Sequence, residues 1–194
     1  MKQPRRSNYV TILTADPGFT AFGWAIIRHM EGVDTVMDMG VIATAPPTKK
    51  GLLLSESRFS RMRHISKNIW ALCEKYRVDA LAFEAESIPQ MSSKQNAMAI
   101  ARPYGALSML AAARDIAAVQ ATPQQVKKAL CPEIRKPSKE DVEKAVRVEF
   151  GRHVAVRTFL HQYPLGKHNH AFDALGVYVA TRDSDIMRAL KRSA

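Results

Sequence analysis

Three apolar runs open the chain, at residues 9–15, 21–29 and 33–43, separated by the turn-like gaps "DPGFT" and "MEGVD". Runs of this length between turn residues predict three strands in a β-meander. The stretch "TAPPTKKG" then breaks the pattern as a loop. From Ser57 to Tyr76 the period changes. Phe59, Met62, Ile65, Ile69, Leu72 and Tyr76 recur at intervals of three and four, with Arg58, Arg61, Arg63 and Lys67 among the other positions. That spacing predicts an amphipathic helix. "VDALAFEAE" (78–86) returns to a short, mostly apolar strand, and the polar loop "SIPQMSSKQN" leads into an Ala-rich helix over 95–114. "IAAVQA" reads as another buried strand. Thr122 and Pro123 stand in N-cap and N1 order before a helix "QQVKKAL". After the loop "CPEIRKP", Ser138 opens a further helix, "KEDVEKAVRVEF". A last helix starts near His168 and runs through "HAFDALGVYVATRDSD".

The order β-β-β-α-β-α-β-α-α-α predicts an α/β fold with a mixed central sheet flanked by helices. Three antiparallel strands come first and parallel additions follow. No repeat, low-complexity tract or linker interrupts it. At 194 residues we expect one domain with a substantial core. It is expected over 9–183, between a basic arm at 1–8 and a basic tail at 184–194.

Charge narrows the class of partner. Lys and Arg number 29 against 18 Asp and Glu, a formal net charge of +11. Such a balance favours a polyanion, and nucleic acid is the commonest one. No apolar run approaches the ~18 residues of a membrane span, so no membrane partner is expected. Cys73 and Cys131 suit buried thiols in a reducing cytosol better than a disulfide framework.

Against this basic background a few acids fall in unusual places. Asp16 ends the first strand, and Glu84 lies near the end of the strand after the first helix. His170 and Asp173 are three apart on the last helix and project from one face. In an α/β sheet the carboxyl ends of neighbouring parallel strands meet at one edge, where a packed helix adds its own side chains. Asp before Pro-Gly is also ordinary turn chemistry, and His170 could simply start a helix. Glu84 and Asp173, however, sit among apolar residues, where an unpaired charge is costly. Glu86 shares the strand face of Glu84 and is an alternative ligand or a supporting partner. Carboxylates with one imidazole suit Mg²⁺, with Mn²⁺ able to substitute. Two such ions about 4 Å apart activate a water and stabilise the leaving oxygen in phosphodiester hydrolysis. Without metal, the clustered acids should have raised pKa values.

The stretches "LTADPGFTAFGWAII", "VDALAFEAE", "ATPQQVKKAL", "KPSKEDVEKAV" and "HNHAFDALGVYVA" together resemble the RuvC family of Holliday-junction resolvases, within the RNase H-like superfamily. The resemblance runs in family order from about Val10 to Ala180. It implies an RNase H-like nuclease domain and metal-binding catalytic roles for Asp16, Glu84, His170 and Asp173. The third of these positions is Asp in many relatives and His in others. Lys127 and Lys139 match lysines that lie near DNA phosphates in the family. The resemblance also implies a homodimer whose two sites nick branched DNA symmetrically, with two ions per site and no small-molecule cofactor. Cytoplasmic action is implied, in a host cytoplasm if the protein is viral. Relatives carry an aromatic residue soon after the catalytic Glu; here the segment reads "EAESIPQM", leaving Ile88 or Met91 as apolar wedges. The segment 131–137 also departs from the family. The small residues Ala97, Ala101, Gly105 and Ala106, with Met109, are candidates for the dimer face or for packing onto the sheet.

Other readings stay open at this level. One is a catalytically inactive DNA-binding protein on the same fold. Another is an actin-like or sugar-kinase phosphotransferase fragment, since "DPGFT" fits an Asp-x-Gly-x-Thr phosphate loop. A zinc site from His161, His168, His170 and Cys131 matches none of the common structural spacings.

Overall fold

A computed structural model describes residues 8–45, 53–86, 94–163 and 169–193. Most of the 1–8 arm, His168, and the wedge candidates Ile88 and Met91 lie outside the described residues. The chain runs β1 (Tyr9–Asp16), β2 (Ala21–Met30), β3 (Val33–Ala43), α1 (Leu54–Tyr76), β4 (Ala80–Glu84), α2 (Lys94–Arg114), β5 (Ala117–Ala121), α3 (Pro123–Leu130), α4 (Lys139–Phe150), α5 (Val154–Gln162), α6 (Asn169–Thr181) and α7 (Asp185–Arg192). The sheet order is β3-β2-β1-β4-β5. β1–β2 and β2–β3 are antiparallel, and β1–β4 and β4–β5 are parallel, as the element order predicts. The β2–β3 turn is tight: Glu31 and Gly32 both have positive φ, at 51° and 79°. That matches the right-handed strand twist, and Gly32 adopts it without steric cost.

Strand alternation divides the core into two layers. Val10 and Ile12 of β1 face one side of the sheet with Ala80 and Ala82 of β4, and Val126, Val146, Phe159 and Met187 pack there from α3, α4, α5 and α7. Leu13 and Ala15 face the other side with Leu81 and Phe83, under Ile65, Ile69 and Cys73 of α1 and Leu107 and Leu110 of α2. Each fully buried Leu, Ile or Phe contributes roughly 1.5–3 kcal/mol. Helix α6 is the central element of the first layer. Ala171, Phe172 and Ala174 through Val179 are all buried, because the helix has the sheet on one side and α3 and α4 on others. A helix apolar around most of its circumference belongs in such an interior position.

The predicted caps are present. Thr122 and Ser138 accept hydrogen bonds from the backbone N–H of Gln125 and Asp141, closing capping boxes at α3 and α4. Both cysteines are free and buried. Among the described residues no helix is long and apolar enough to cross a membrane.

Two segments correct the sequence reading. Residues 154–162 form α5, which the apolar pattern did not announce: "VAVRTFLHQ" is too short for its period to stand out. The stretch after 183, expected as a basic tail, contains α7. Its single buried apolar residue, Met187, anchors it, and Ser184 caps it by accepting from the Met187 N–H. Lys191 is drawn inward, donating to the Tyr178 hydroxyl at 2.9 Å and lying 3.5 Å from Asp34. Basic composition disguised a helix held by the apolar side chains Met187 and Leu190 and a polar network.

The close approach of α6 to the sheet depends on Gly23. A Cβ there would lie 1.9 Å from the backbone oxygen of His170, so any side chain must push the start of α6 outward. Gly23→Ala is expected to destabilise the protein by about 1–3 kcal/mol, measurable as a lower urea midpoint with an unchanged m-value.

Candidate metal centre

The register of the sheet assembles the acids. Ala15 pairs with Phe83 in the parallel β1–β4 ladder, so Asp16 and Glu84 follow one step further on, side by side at the strand ends. Alternation gives both the α6 face, after Ile12 and Ala82. Asp16 pairs with Gly23 across β2, and Gly23 admits the backbone of His170. Glu84 pairs with Ala121 of β5, from whose end α3 departs one residue later. Both flanking strands therefore deliver a helix to the same place.

Asp16, Glu84, His170, Asp173, Lys127 and Lys139 all line one cavity of about 390 Å³, floored by Pro123, Val126 and Val142. His170 Nδ1 lies 2.6 Å from Asp16 Oδ2. One donor atom each from Asp16, His170 and Asp173 fall within 4.8 Å of one another. Among the described residues this is the one cluster of metal-capable side chains so close, and neither His161 nor Cys131 belongs to it. Glu84 stands beyond that spacing but faces the same space. Glu86 is exposed and does not line the cavity.

Glu84 and Asp173 hold their protons more tightly than ordinary carboxylates. Burial first, then the charges of Asp16 and Asp173, push Glu84 up to about 7, while Lys127 and Lys139 pull it down. Burial and Asp16 raise Asp173 to about 6, opposed by His170 and Lys139. The hydrogen bond to Asp16 raises His170 against the effect of burial. Three carboxylates and an imidazole around one half-buried cavity, two of the acids raised chiefly by burial and then by neighbouring charge, form a donor set that fits a hard divalent cation.

Three neighbours of the cluster escaped the sequence reading. Gly23 lay inside a noted motif, but only the approach of α6 reveals its role. Arg61 binds the turn after Asp16. Its guanidinium donates to Thr44 Oγ1 at 2.9 Å and Thr20 Oγ1 at 3.2 Å, and it stacks over Phe19. Its place on the polar face of α1 gave no sign of this. Tyr104 of α2 packs against Phe83 from the other side of the sheet; burial and then the Glu84 charge raise its pKa.

A five-stranded mixed sheet with helices on both faces, and an acidic cluster at the ends of its two central strands, defines an RNase H-like fold with a candidate metal centre. The chain belongs to the RuvC family: the family model for "Crossover junction endodeoxyribonuclease RuvC" matches residues 12–179. RuvC of Syntrophomonas wolfei is 29% identical over 119 residues, covering 61% of this chain and 63% of that protein. RuvC of Bacteroides fragilis is 28% identical over the same length, covering 61% of this chain and 58% of its own. The matched stretch thus spans about three-fifths of the length of these curated relatives. Thermus thermophilus RuvC, solved in complex with a Holliday junction substrate, superposes with a TM-score of 0.63 at 21% identity, covering 88% of this chain and 91% of that one. The yeast mitochondrial Holliday junction resolvase Ydc2 gives 0.65 at 13% identity, covering 98% and 85%. These two likenesses establish the fold.

Because Glu84 and Asp173 bind protons more tightly in the native than in the unfolded state, metal-free stability should fall as pH rises from about 4 to about 7. Mg²⁺ binding requires those protons to leave. Its stabilisation should therefore be larger at pH 8 than at pH 6. Glu84→Gln should melt roughly 2–4 °C higher than wild type in EDTA at pH 8 and respond less to Mg²⁺. Scanning calorimetry with and without Mg²⁺ checks all three; an Mg²⁺ shift independent of pH would contradict the assignment.

Proposed function

We propose that this chain is a divalent-metal-dependent, structure-selective DNA endonuclease that resolves four-way junctions by paired symmetric nicks. The observation that carries the reading is the single cavity combining Asp16, Glu84, His170 and Asp173 with Lys127 and Lys139. Acids for metal and cations for phosphate, in one space, are what phosphodiester hydrolysis requires. Family membership favours this over a phosphotransferase fragment, and the intact acidic set favours it over an inactive DNA-binding protein.

In this reading Asp16, Glu84 and Asp173 hold two Mg²⁺ ions, with Mn²⁺ able to substitute. When bound, the ions activate water and stabilise charge on the phosphate oxygens. Asp16 keeps one carboxylate oxygen on His170 Nδ1 and has the other free as a ligand. That bond orients the imidazole and leaves Nε2 to complete the donor set or to carry a proton. Lys127 and Lys139 steady the phosphate and offset the charge that develops on it. The remaining basic surface binds junction arms through phosphates, with strong salt dependence.

Two nicks placed symmetrically require two copies of the chain. The apolar groove of about 440 Å³ between α1 and α2, lined by Ile69, Trp70, Gly105, Ala106 and Met109, supports a homodimer contact through α2. We assign the nuclease domain to residues 9–183 with α7 docked onto its core through Met187, acting on DNA in the cytoplasm.

The decisive comparison is wild type against Asp16→Asn on a synthetic four-way junction and a linear duplex, with Mg²⁺ or EDTA. Wild type should nick the junction symmetrically with Mg²⁺ and not in EDTA. Asp16→Asn should lose at least about 10²-fold in rate, on the scale of a lost electrostatic contact to the transition state, while still binding the junction. Equal cutting by the variant would sink the catalytic assignment. Equal cutting of duplex and junction would leave a broader nuclease.

A further inference from the structure

A second cavity, of about 570 Å³, opens beside the acidic one under the loop that joins α3 to α4. Gln124, Lys127, Lys128, Cys131, Arg135 and Lys136 are among its lining. Lys127 lines both cavities, so the two are neighbours across one side chain. Lys127 and Lys139 face the carboxylates of the first cavity, as their pull on Glu84 shows. Lys128, Arg135 and Lys136 are exposed, and none has an ion-pair or hydrogen-bond partner among the described residues. Three unpaired cations around one hollow repel each other, and folding gains nothing from that arrangement. An anion in the hollow would offset the repulsion.

The loop that carries them is tied down. The Cys131 N–H donates to the Lys127 carbonyl at 2.9 Å, and the Ile134 N–H donates to the Cys131 carbonyl at 3.1 Å. Cys131 is itself buried. Pro132 and Pro137 restrict the backbone near either end, and the Ser138–Asp141 capping box closes the far side. Cations on a preorganised loop lose less freedom on binding than cations on a loose one.

We propose that this cavity is a phosphate-binding subsite for the DNA strand that enters the acidic cavity. Lys128, Arg135 and Lys136 grip the backbone phosphate next to the one being cut, and Lys127 stands between the two. The proposal rests on the nuclease reading for its direction and identifies the path of the substrate strand. The chemistry recognised is a phosphodiester anion without base readout, so the subsite contributes affinity and register rather than sequence preference.

The test walks a neutral methylphosphonate along one strand of a synthetic four-way junction and measures binding in EDTA, where no cutting occurs. The proteins compared are wild type, the triple variant Lys128→Gln, Arg135→Gln, Lys136→Gln, and the single variant Lys128→Gln. A control removes Arg63 and Lys67, both exposed on α1 across the sheet. In wild type, neutralising the phosphates beside the mapped nick should weaken binding. In the triple variant that penalty should vanish at one or two adjacent positions, with a partial loss in the single variant and full retention in the control. The slope of log affinity against log salt should shrink by about one per cation removed. Inorganic phosphate at millimolar concentration should compete poorly; if it competes as well as DNA, the site takes a free phosphate and not a strand. The proposal is overturned if the penalties persist in the triple variant, or if they vanish only far from the nick. Should the triple variant lose the penalty at one or two adjacent phosphates while wild type never cuts in Mg²⁺, the nuclease reading fails and the phosphate subsite stands.

Discussion

Asp16 and Glu84 stand side by side because the β1–β4 ladder permits no other arrangement. Leu13 and Ala15 must face α1 and α2, while Ile12, Ala80 and Ala82 must face α6. A slip of one residue would turn every one of these side chains to the wrong layer. The carboxylates at the strand ends inherit that register although they repel each other and are partly desolvated. The apolar core thus holds in place a charge arrangement that would not assemble on its own. Raised proton affinity at Glu84 and Asp173 reflects the cost of that arrangement.

Helix α6 carries the second half of the cluster, and its position is governed by packing rather than by charge. Buried over most of its surface, it approaches the sheet closely enough that β2 needs glycine at position 23. Its first turn then lies over Asp16, where His170 makes the bond that bridges helix and sheet. On the far side Arg61 fastens the turn after Asp16 to the end of β3 through Thr44. The acid that opens the site is therefore held from both layers, by His170 directly and by Arg61 through the turn that follows it.

Charge is organised on two scales. Over the whole chain the excess is +11, enough to draw a polyanion from a distance. At the sheet end the sign reverses locally, and the change from acid to base takes place across Lys127, which lines both cavities.

Most of the architecture was legible in the chain. Apolar runs between turn residues placed the strands, the three-to-four spacing placed α1, and the Thr122 and Ser138 caps were readable as they stand. Glu84 and Asp173 were conspicuous because each sits among apolar residues, where an unpaired charge is expensive, whereas Asp16 by itself also fitted ordinary turn chemistry. Helices α5 and α7 were not legible, since eight or nine residues carry too little periodicity and their stability comes from the core they dock onto. Gly23 and Arg61 were not legible as parts of the site either. Gly23 matters because of His170 on α6, and Arg61 because of Thr20, 41 residues away in sequence; single-chain patterning carries no information on such contacts. The sequence by itself determined which residues bear chemistry and which face of each strand they occupy, because both follow from residue type and local period. Only the tertiary structure decided that the acids share one cavity with two lysines and a second, basic one beside it. That outcome depends on strand register and on how closely α3, α4 and α6 pack, and both are settled by the core as a whole.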